Sequence, residues 1–142
     1  MITTEELIEQ AFRAREKAYA PYSGFRVGAA LLTKEGRVFG GCNIESASYS
    51  PSNCAERTAF FKAVSEGERS FEEIAIVGGP GKSDTQTENY CPPCGVCRQV
   101  MMEFCVPENF RIILAKSKDA YVIYTLKELL PLGFGPDNLS VR

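Results

Sequence analysis

Three cysteines and one glutamate form the part of the sequence best suited to chemistry. Cys94 and Cys97 are separated by two residues. Thiolates at this spacing lie one helical turn apart and can both bind a tetrahedral Zn²⁺ at ~2.3 Å. A structural zinc site needs a second such pair, but the chain offers one isolated thiol, Cys54, with Glu56 two residues later. Three thiolates beside a carboxylate predict a catalytic zinc site with an open fourth position.

The composition excludes several other chemistries. The 142 residues include six cysteines and no histidine, so histidine-assisted nucleophiles and histidine-ligated metals are excluded. Three of the thiols fall within residues 91–97, and in a reducing compartment such clustering favours metal binding or redox work over structural disulfides. Sixteen basic and eighteen acidic side chains give a net charge of −2, which disfavours binding to nucleic acid or to a membrane surface.

Length and hydropathy bound the organisation of the chain. The length and ordinary globular composition predict a single domain over residues 1–142, with no linker or repeat. No stretch approaches the roughly 18 apolar residues of a membrane span. Residues 1–10 are acidic and polar where a signal peptide would be basic and then apolar. We therefore expect a cytoplasmic protein.

Capping signals and periodicity predict the first elements. Thr3 and Glu6 form a capping box, and apolar residues then recur at helical spacing until Pro21, which predicts an amphipathic helix. Residues 25–32 and 37–43 are typical of two strands joined by a short turn that contains glycine. A β-hairpin is the expected result.

The cysteines are predicted to lie where helices begin. Asn53 is a good N-cap for a helix over residues 54–66. The prolines at 92–93 bar a helix before Cys94, so a second helix is expected to start there. The other predicted elements are a strand at 74–77, an exposed loop at 80–89, strands at 111–115 and 121–124, and a short helix capped by Thr125 and Glu128.

These elements predict both the fold class and the electrostatics of the site. Strands that alternate with helices indicate an α/β layered domain. The positive ends of two helices would face the metal, and Arg57 directly follows Glu56. This positive potential offsets the net negative charge that three thiolates leave on a zinc ion.

Two motifs in this order resemble the signature of the zinc nucleoside deaminases in its three-cysteine version. They are Cys54-Ala55-Glu56 and Pro93-Cys94-Gly95-Val96-Cys97. Residues 25–30 and 41–45 also resemble the base-side and ribose-side segments of small cytidine deaminases. The likeness covers nearly the whole chain. It implies a three-layer α-β-α sandwich with a mixed five-stranded sheet and one zinc ion per chain.

The resemblance also implies a reaction. It is the zinc-dependent hydrolytic deamination of cytidine, and of deoxycytidine, to uridine or deoxyuridine and ammonia in pyrimidine salvage. Cys54, Cys94 and Cys97 are the implied ligands of a zinc ion that lowers the pKa of its water. Glu56 is the implied proton carrier, first to ring nitrogen 3 of cytosine and then to the departing amino group. Arg57 is expected to donate hydrogen bonds to the ligand thiolates.

The resemblance also implies substrate contacts, which are transferred from the family's motifs to the matching positions of this sequence. Asn43 and Glu45 are expected to bind the ribose hydroxyls of a small-molecule nucleoside. The backbone N–H of Ala55 is expected to meet the base carbonyl, and Phe25 to pack beside the base. The polar contacts to the sugar predict poor processing of free cytosine, because those groups would be left unpaired.

The small members of the family assemble as homotetramers whose pockets are shared between subunits. The matching positions in this sequence are Tyr49 and Phe134. On composition alone each is an ordinary core or interface aromatic.

Alternative interpretations remain open for several residues. Cys91 lies three residues before Cys94 and could complete a closed four-thiolate site, which would make a structural zinc module, although the prolines at 92–93 argue against it. With Asn53 as N-cap, Glu56 would be the third helical residue, where capping carboxylates also occur. The substrate could instead be an aminated nucleoside antibiotic or a polynucleotide cytosine, but the segment at 43–45 favours a free nucleoside.

Overall fold

The computed structural model of the chain describes residues 1–141. Five strands form one mixed sheet in the order β2-β1-β3-β4-β5, in which β3 and β4 are parallel and the other neighbours are antiparallel. The elements are α1 (Thr4–Arg15), β1 (Arg26–Thr33), β2 (Val38–Cys42), α2 (Ala55–Ser65), β3 (Phe71–Gly79), α3 (Gly95–Phe104), β4 (Arg111–Ser117), β5 (Ala120–Thr125), α4 (Leu126–Leu129) and a 3₁₀ helix (Pro136–Leu139). Over residues 1–141, no helix is long and apolar enough to cross a membrane.

The interior strand β1 is buried on both faces, and its side chains alternate between two cores. Ala29 and Leu31 pack into the core that also contains the apolar side chains of α2 and α3. Ala30 and Leu32 pack into the core formed with α1. The predicted three-layer α-β-α arrangement and the five-stranded mixed sheet are thereby confirmed.

The parallel pair explains where the functional residues gather. Because β3 and β4 run in the same direction, the chain must cross back over the sheet between them, and α3 makes this crossover. The helix begins at Gly95, immediately after Cys94. This places that cysteine beside the end of β3.

Two expectations about helix ends are wrong. α1 ends at Arg15 rather than near Pro21, because the Tyr19 N–H donates to Asn43 O at 3.0 Å and Tyr19 O accepts from the Glu45 N–H at 2.8 Å. These long-range bonds draw the chain into extended structure. The N-cap of α2 is Cys54 rather than Asn53, whose side chain instead donates to Thr58 Oγ1 at 3.2 Å.

Close packing fixes the start of α2 against β2. A methyl group built on Gly41 would lie 2.5 Å from the backbone nitrogen of Ala59 and would also collide with Ala55 O. A methyl group on neighbouring Gly40 would meet Ala14 Cβ at 3.4 Å, an ordinary contact. Only glycine therefore allows the approach at position 41.

Replacement of Gly41 by Ala is expected to lower the free energy of unfolding by about 3 kcal/mol, because the helix that carries Cys54 must move away from the sheet. Urea unfolding of the purified variant measures the change. Gly40→Ala is the matched control and should change the stability by less than about 1 kcal/mol. Equal losses in the two variants would contradict the packing argument.

Candidate active site

The three predicted metal ligands converge at the starts of α2 and α3. Cys54 and Cys94 are the N-cap residues of these helices, and Cys97 lies in the first turn of α3. The Sγ atoms of Cys54 and Cys94 are 3.6 Å apart, and those of Cys94 and Cys97 are 3.5 Å apart. Tetrahedral ligands at ~2.3 Å from zinc are separated by about 3.8 Å. The cluster therefore fits a zinc ion, with one position left open.

Positive potential faces this cluster from several directions. The Cys97 N–H donates to Cys94 Sγ at 3.4 Å, and Arg57 Nη2 donates to Cys54 Sγ at 3.3 Å. The pKa of Cys54 falls to about 5, chiefly through a hydrogen bond from the Cys97 thiol, with Arg57 adding to the effect. The same contacts raise the pKa of Arg57. The structure thus places Arg57 on a thiol of the cluster, as the sequence predicts.

Glu56 is the buried carboxyl group of the site. It is only 4% exposed, and burial raises its pKa to about 7, with the Cys54 thiolate adding to the rise. With Cys54 as N-cap, Glu56 is the second residue of α2 rather than the third. The capping explanation for this carboxylate is therefore wrong, since a capping box needs the third position. A carboxyl group with a pKa near neutrality can both accept and return a proton.

A cleft of about 360 Å³ opens directly over Glu56. A volume of this order suits a small molecule. The sequence-predicted residues that line it are Phe25, Asn43, Glu45, Cys54, Ala55, Glu56, Arg57 and Cys94. The cleft thus brings together residues from four separate stretches of the chain.

The side chains of Asn43 and Glu45 line the cleft and also form hydrogen bonds with backbone groups. Asn43 Oδ1 accepts from the Val27 N–H at 2.8 Å, and its Nδ2 donates to Phe25 O at 2.7 Å. Since a side-chain amide has two N–H donors, one remains available. Glu45 accepts from the backbone N–H groups of Tyr22 and Ser23, each at 3.1 Å, and from the Ser23 hydroxyl.

Ser23 is a site residue that the sequence analysis missed. Its hydroxyl is the main cause of the lowered pKa of Glu45, which keeps that carboxylate ionised. Ser23 also lines the cleft. A serine in a turn is common, and only its contact with a residue 22 positions later marks it out.

Cys91 lies outside the thiol cluster. Within residues 1–141, the group that could hold a metal consists of Cys54, Cys94 and Cys97. The Cys91 sulfur instead packs against Gly78, and burial raises its pKa to about 12. The geometry therefore contradicts the closed four-thiolate alternative.

Comparison with known proteins agrees with this geometry. The family model of the cytidine and deoxycytidylate deaminase zinc-binding region matches residues 1–112. The chain belongs to this family. A cytidine deaminase of Sporosarcina psychrophila is 48% identical over 136 residues, 96% of this chain and 94% of that protein. The crystal structure of cytidine deaminase from Burkholderia pseudomallei matches with a TM-score of 0.83 and 47% identity, covering 94% of this chain and all (100%) of that one.

A relative with a different name also spans the fold of this deaminase. A blasticidin-S deaminase of Bacillus cereus is 32% identical over 130 residues, 91% of this chain and 90% of that protein. Family membership, together with the thiol cluster, confirms the predicted zinc deaminase class and its fold.

Tyr49 and Phe134 do not line the cleft of this deaminase. Tyr49 is 70% exposed and borders an adjoining cavity of about 310 Å³ that shares Ser23, Glu45 and Ser52 with the cleft. Phe134 is 58% exposed, and its carbonyl accepts from Gln99 Nε2 at 2.7 Å. Neither aromatic ring is covered by its own chain.

Proposed function

We propose that this chain is a zinc-dependent cytidine deaminase that converts cytidine and deoxycytidine to uridine, deoxyuridine and ammonia. The observation that carries the proposal is that one cleft is lined by the buried Glu56, by the polar pair Asn43 and Glu45, and by two members of the three-thiol cluster, Cys54 and Cys94. A zinc ion held by the cluster supplies a water that loses its proton near neutral pH.

Glu56 moves the protons of the reaction. Its burial and raised pKa let it accept the proton of the attacking water and return it to ring nitrogen 3. The water oxygen bonds to carbon 4 of the base, and Glu56 then carries the remaining proton of that oxygen to the amino group. The bond between carbon 4 and the amino nitrogen breaks, which leaves a carbonyl at carbon 4 and releases ammonia. The Ala55 N–H belongs to the first residue of α2 and has no intrahelical acceptor, so it is free to donate to the base carbonyl.

The opposite end of the cleft suits a ribose without a phosphate. Glu45 accepts from a sugar hydroxyl as an ionised carboxylate, and the remaining N–H of Asn43 donates to one. Among the described residues that line the cleft, Arg57 is the cationic one, and its Nη2 is turned onto Cys54. A nucleotide phosphate at this end would therefore face the Glu45 carboxylate and no free cation.

A panel of four substrates tests the proposal. Ammonia release by zinc-loaded protein is expected from cytidine and deoxycytidine, with kcat/KM at least about 100-fold lower for cytosine and for cytidine monophosphate, since the polar groups at the ribose end are then unpaired or repelled. No release from either nucleoside would overturn the proposal. Comparable turnover of cytosine would contradict the roles of Asn43 and Glu45.

Glu45→Gln serves as the control for this panel. It removes the charge but keeps an acceptor, so the discrimination against the monophosphate should shrink while cytidine is still deaminated. Unchanged discrimination would assign phosphate exclusion to some other group.

A related aminated nucleoside is the second candidate substrate. The full-length relationship to a blasticidin-S deaminase supports it. Blasticidin S added to the same panel decides between them, since the better substrate shows the higher kcat/KM.

We further propose that the protein works in the cytoplasm in pyrimidine salvage, as a homotetramer with pockets shared between subunits. The exposed rings of Tyr49 and Phe134 support the assembly, since each is free to enter a neighbour's cleft. Sedimentation of the active preparation measures its mass, and a fully active monomer would exclude shared pockets.

A further inference from the structure

Arg15, the last residue of α1, is a buried cation held only by backbone oxygens. It is 3% exposed, and none of the ion pairs within residues 1–141 includes it. Its guanidinium donates to Arg26 O at 2.9 Å, Gly79 O at 2.8 Å, Pro80 O at 3.4 Å, Gly81 O at 3.2 Å and Ser83 O at 2.8 Å. A charge removed from water is costly unless every donor is satisfied, so the five carbonyls are held closely in place.

Two of these carbonyls belong to strand ends beside the cleft, and the other three belong to the segment that follows β3. Arg26 begins β1 and pairs with Gly79 at the end of β3. Phe25 and Val27, on either side of Arg26, both line the cleft. Arg15 therefore joins the segment that carries one wall of the cleft to the end of the neighbouring strand.

Asn43 holds the same three residues from the other side. It binds Phe25 O and the Val27 N–H, while Arg15 binds the carbonyl of Arg26 between them. Arg26 in turn donates to Arg15 O at 3.2 Å and Glu16 O at 2.8 Å. The start of β1 is thus held on both edges, and Arg15 supplies one of the two.

A second stretch of the cleft lining packs against the end of β3. A methyl group built on Gly78 would lie 2.8 Å from Cys91 Sγ and 3.0 Å from Val27 Cγ2, so Gly78 packs between these side chains. Cys91 and Pro92 line the cleft. The chain from residue 80 to residue 90 has no helix or strand, and Arg15 fixes its first four residues. Both stretches of the lining therefore adjoin the strand ends that Arg15 joins.

We infer that Arg15 is a positioning residue for the deaminase, which holds Phe25 and Val27, and through the end of β3 also Cys91 and Pro92, in the places where they line the cleft. The inference rests on the proposed function. Arg15 touches neither the thiol cluster nor Glu56. Its loss should weaken substrate binding while leaving zinc content and the chemical step in place.

The test is the kinetics of Arg15→Ala and Arg15→Lys. Each is expected to raise KM for cytidine by roughly 10- to 100-fold, since a displaced wall no longer positions the base, with kcat within about threefold and full zinc content. Lysine keeps the charge but cannot reach both strand ends with a single ammonium group. Millimolar guanidinium should restore KM in Arg15→Ala but not in Arg15→Lys.

Arg37→Gln is the matched control, because it removes an exposed arginine that binds Glu66 and Glu68 away from the cleft. It should leave KM unchanged. If Arg15→Ala does not fold, Arg15→Lys decides. An unchanged KM, or a loss of kcat and zinc at constant KM, overturns the inference.

Hydrogen exchange distinguishes failure of the positioning role of Arg15 from failure of the proposed function. Amides of residues 79–90 should exchange at least about tenfold faster in the Arg15 variants than in the wild type, whether or not cytidine is the substrate. Unchanged exchange overturns the positioning role. Absence of ammonia release from wild type overturns the function alone.

Discussion

Glu56→Gln should lower kcat for cytidine by about 10³- to 10⁴-fold while the protein keeps its zinc and its affinity for the nucleoside. The amide has the same shape as the carboxyl group but cannot accept a proton from water or deliver one to the ring. Glu56 is 4% exposed, so bulk water does not readily replace it as the proton carrier. The loss belongs to kcat because the proton transfers occur in the transition state.

Ammonia release, zinc content and cytidine binding are to be measured on the same preparation. Glu66→Gln is the matched control, since it makes the same change at the exposed C-terminal end of α2 and should leave kcat unaltered. Activity of Glu56→Gln within tenfold of wild type would remove Glu56 from the mechanism. Loss of zinc in this variant would instead give the carboxylate a structural role.

The local part of the site is predictable from sequence, because its residues lie close together along the chain. Cys94 and Cys97 are one helical turn apart, and Cys54 and Glu56 share the start of α2. The alternation of strands and helices also predicts an α/β layered domain correctly, and the family resemblance implies its three layers.

The remaining features of the fold and the site depend on contacts between residues far apart in the sequence, which the local sequence pattern does not predict. In the sequence, Arg15 is an ordinary basic residue near a helix end. It is buried in the structure because distant carbonyls, such as that of Ser83 68 positions later, accept hydrogen bonds from its guanidinium. The N-cap of α2 shifts from Asn53 to Cys54 because the backbone of Asn53 pairs with Ile44. In both cases tertiary hydrogen bonds override local preference.

Cys91 is the opposite case, in which the sequence suggests a contact that the fold does not make. Its spacing from Cys94 suggests a fourth ligand, but its sulfur packs on Gly78. The two prolines that follow keep residues 90–94 out of regular structure, so the thiol is carried away from the helix turn that holds the cluster. The spacing of residues along a sequence predicts which of them share a metal ion only where they lie in a helix or strand, because a regular element fixes the distance between their side chains.

Cys97→Ser should release the zinc and reduce kcat/KM for cytidine by at least about 10³-fold, because an un-ionised hydroxyl is a poor zinc ligand and two thiolates do not make a tight site. Cys97 is 1% exposed, and its sulfur lies 3.5 Å from Cys94 Sγ, so no water-filled space offers a substitute ligand there. Metal analysis and a chelator competition measure the loss directly.

Cys91→Ser is the matched control for this prediction, because it makes the same change at a thiol outside the cluster. It should retain one zinc per chain, since its sulfur packs against Gly78 and lies outside the cluster. If Cys91→Ser also lost its zinc, the closed four-thiolate site would return and the open position needed for hydrolysis would be gone. If Cys97→Ser kept its zinc, Cys97 would not be a ligand. The pair of variants thus tests whether the three-thiol cluster leaves a position for water, the feature on which the deaminase chemistry depends.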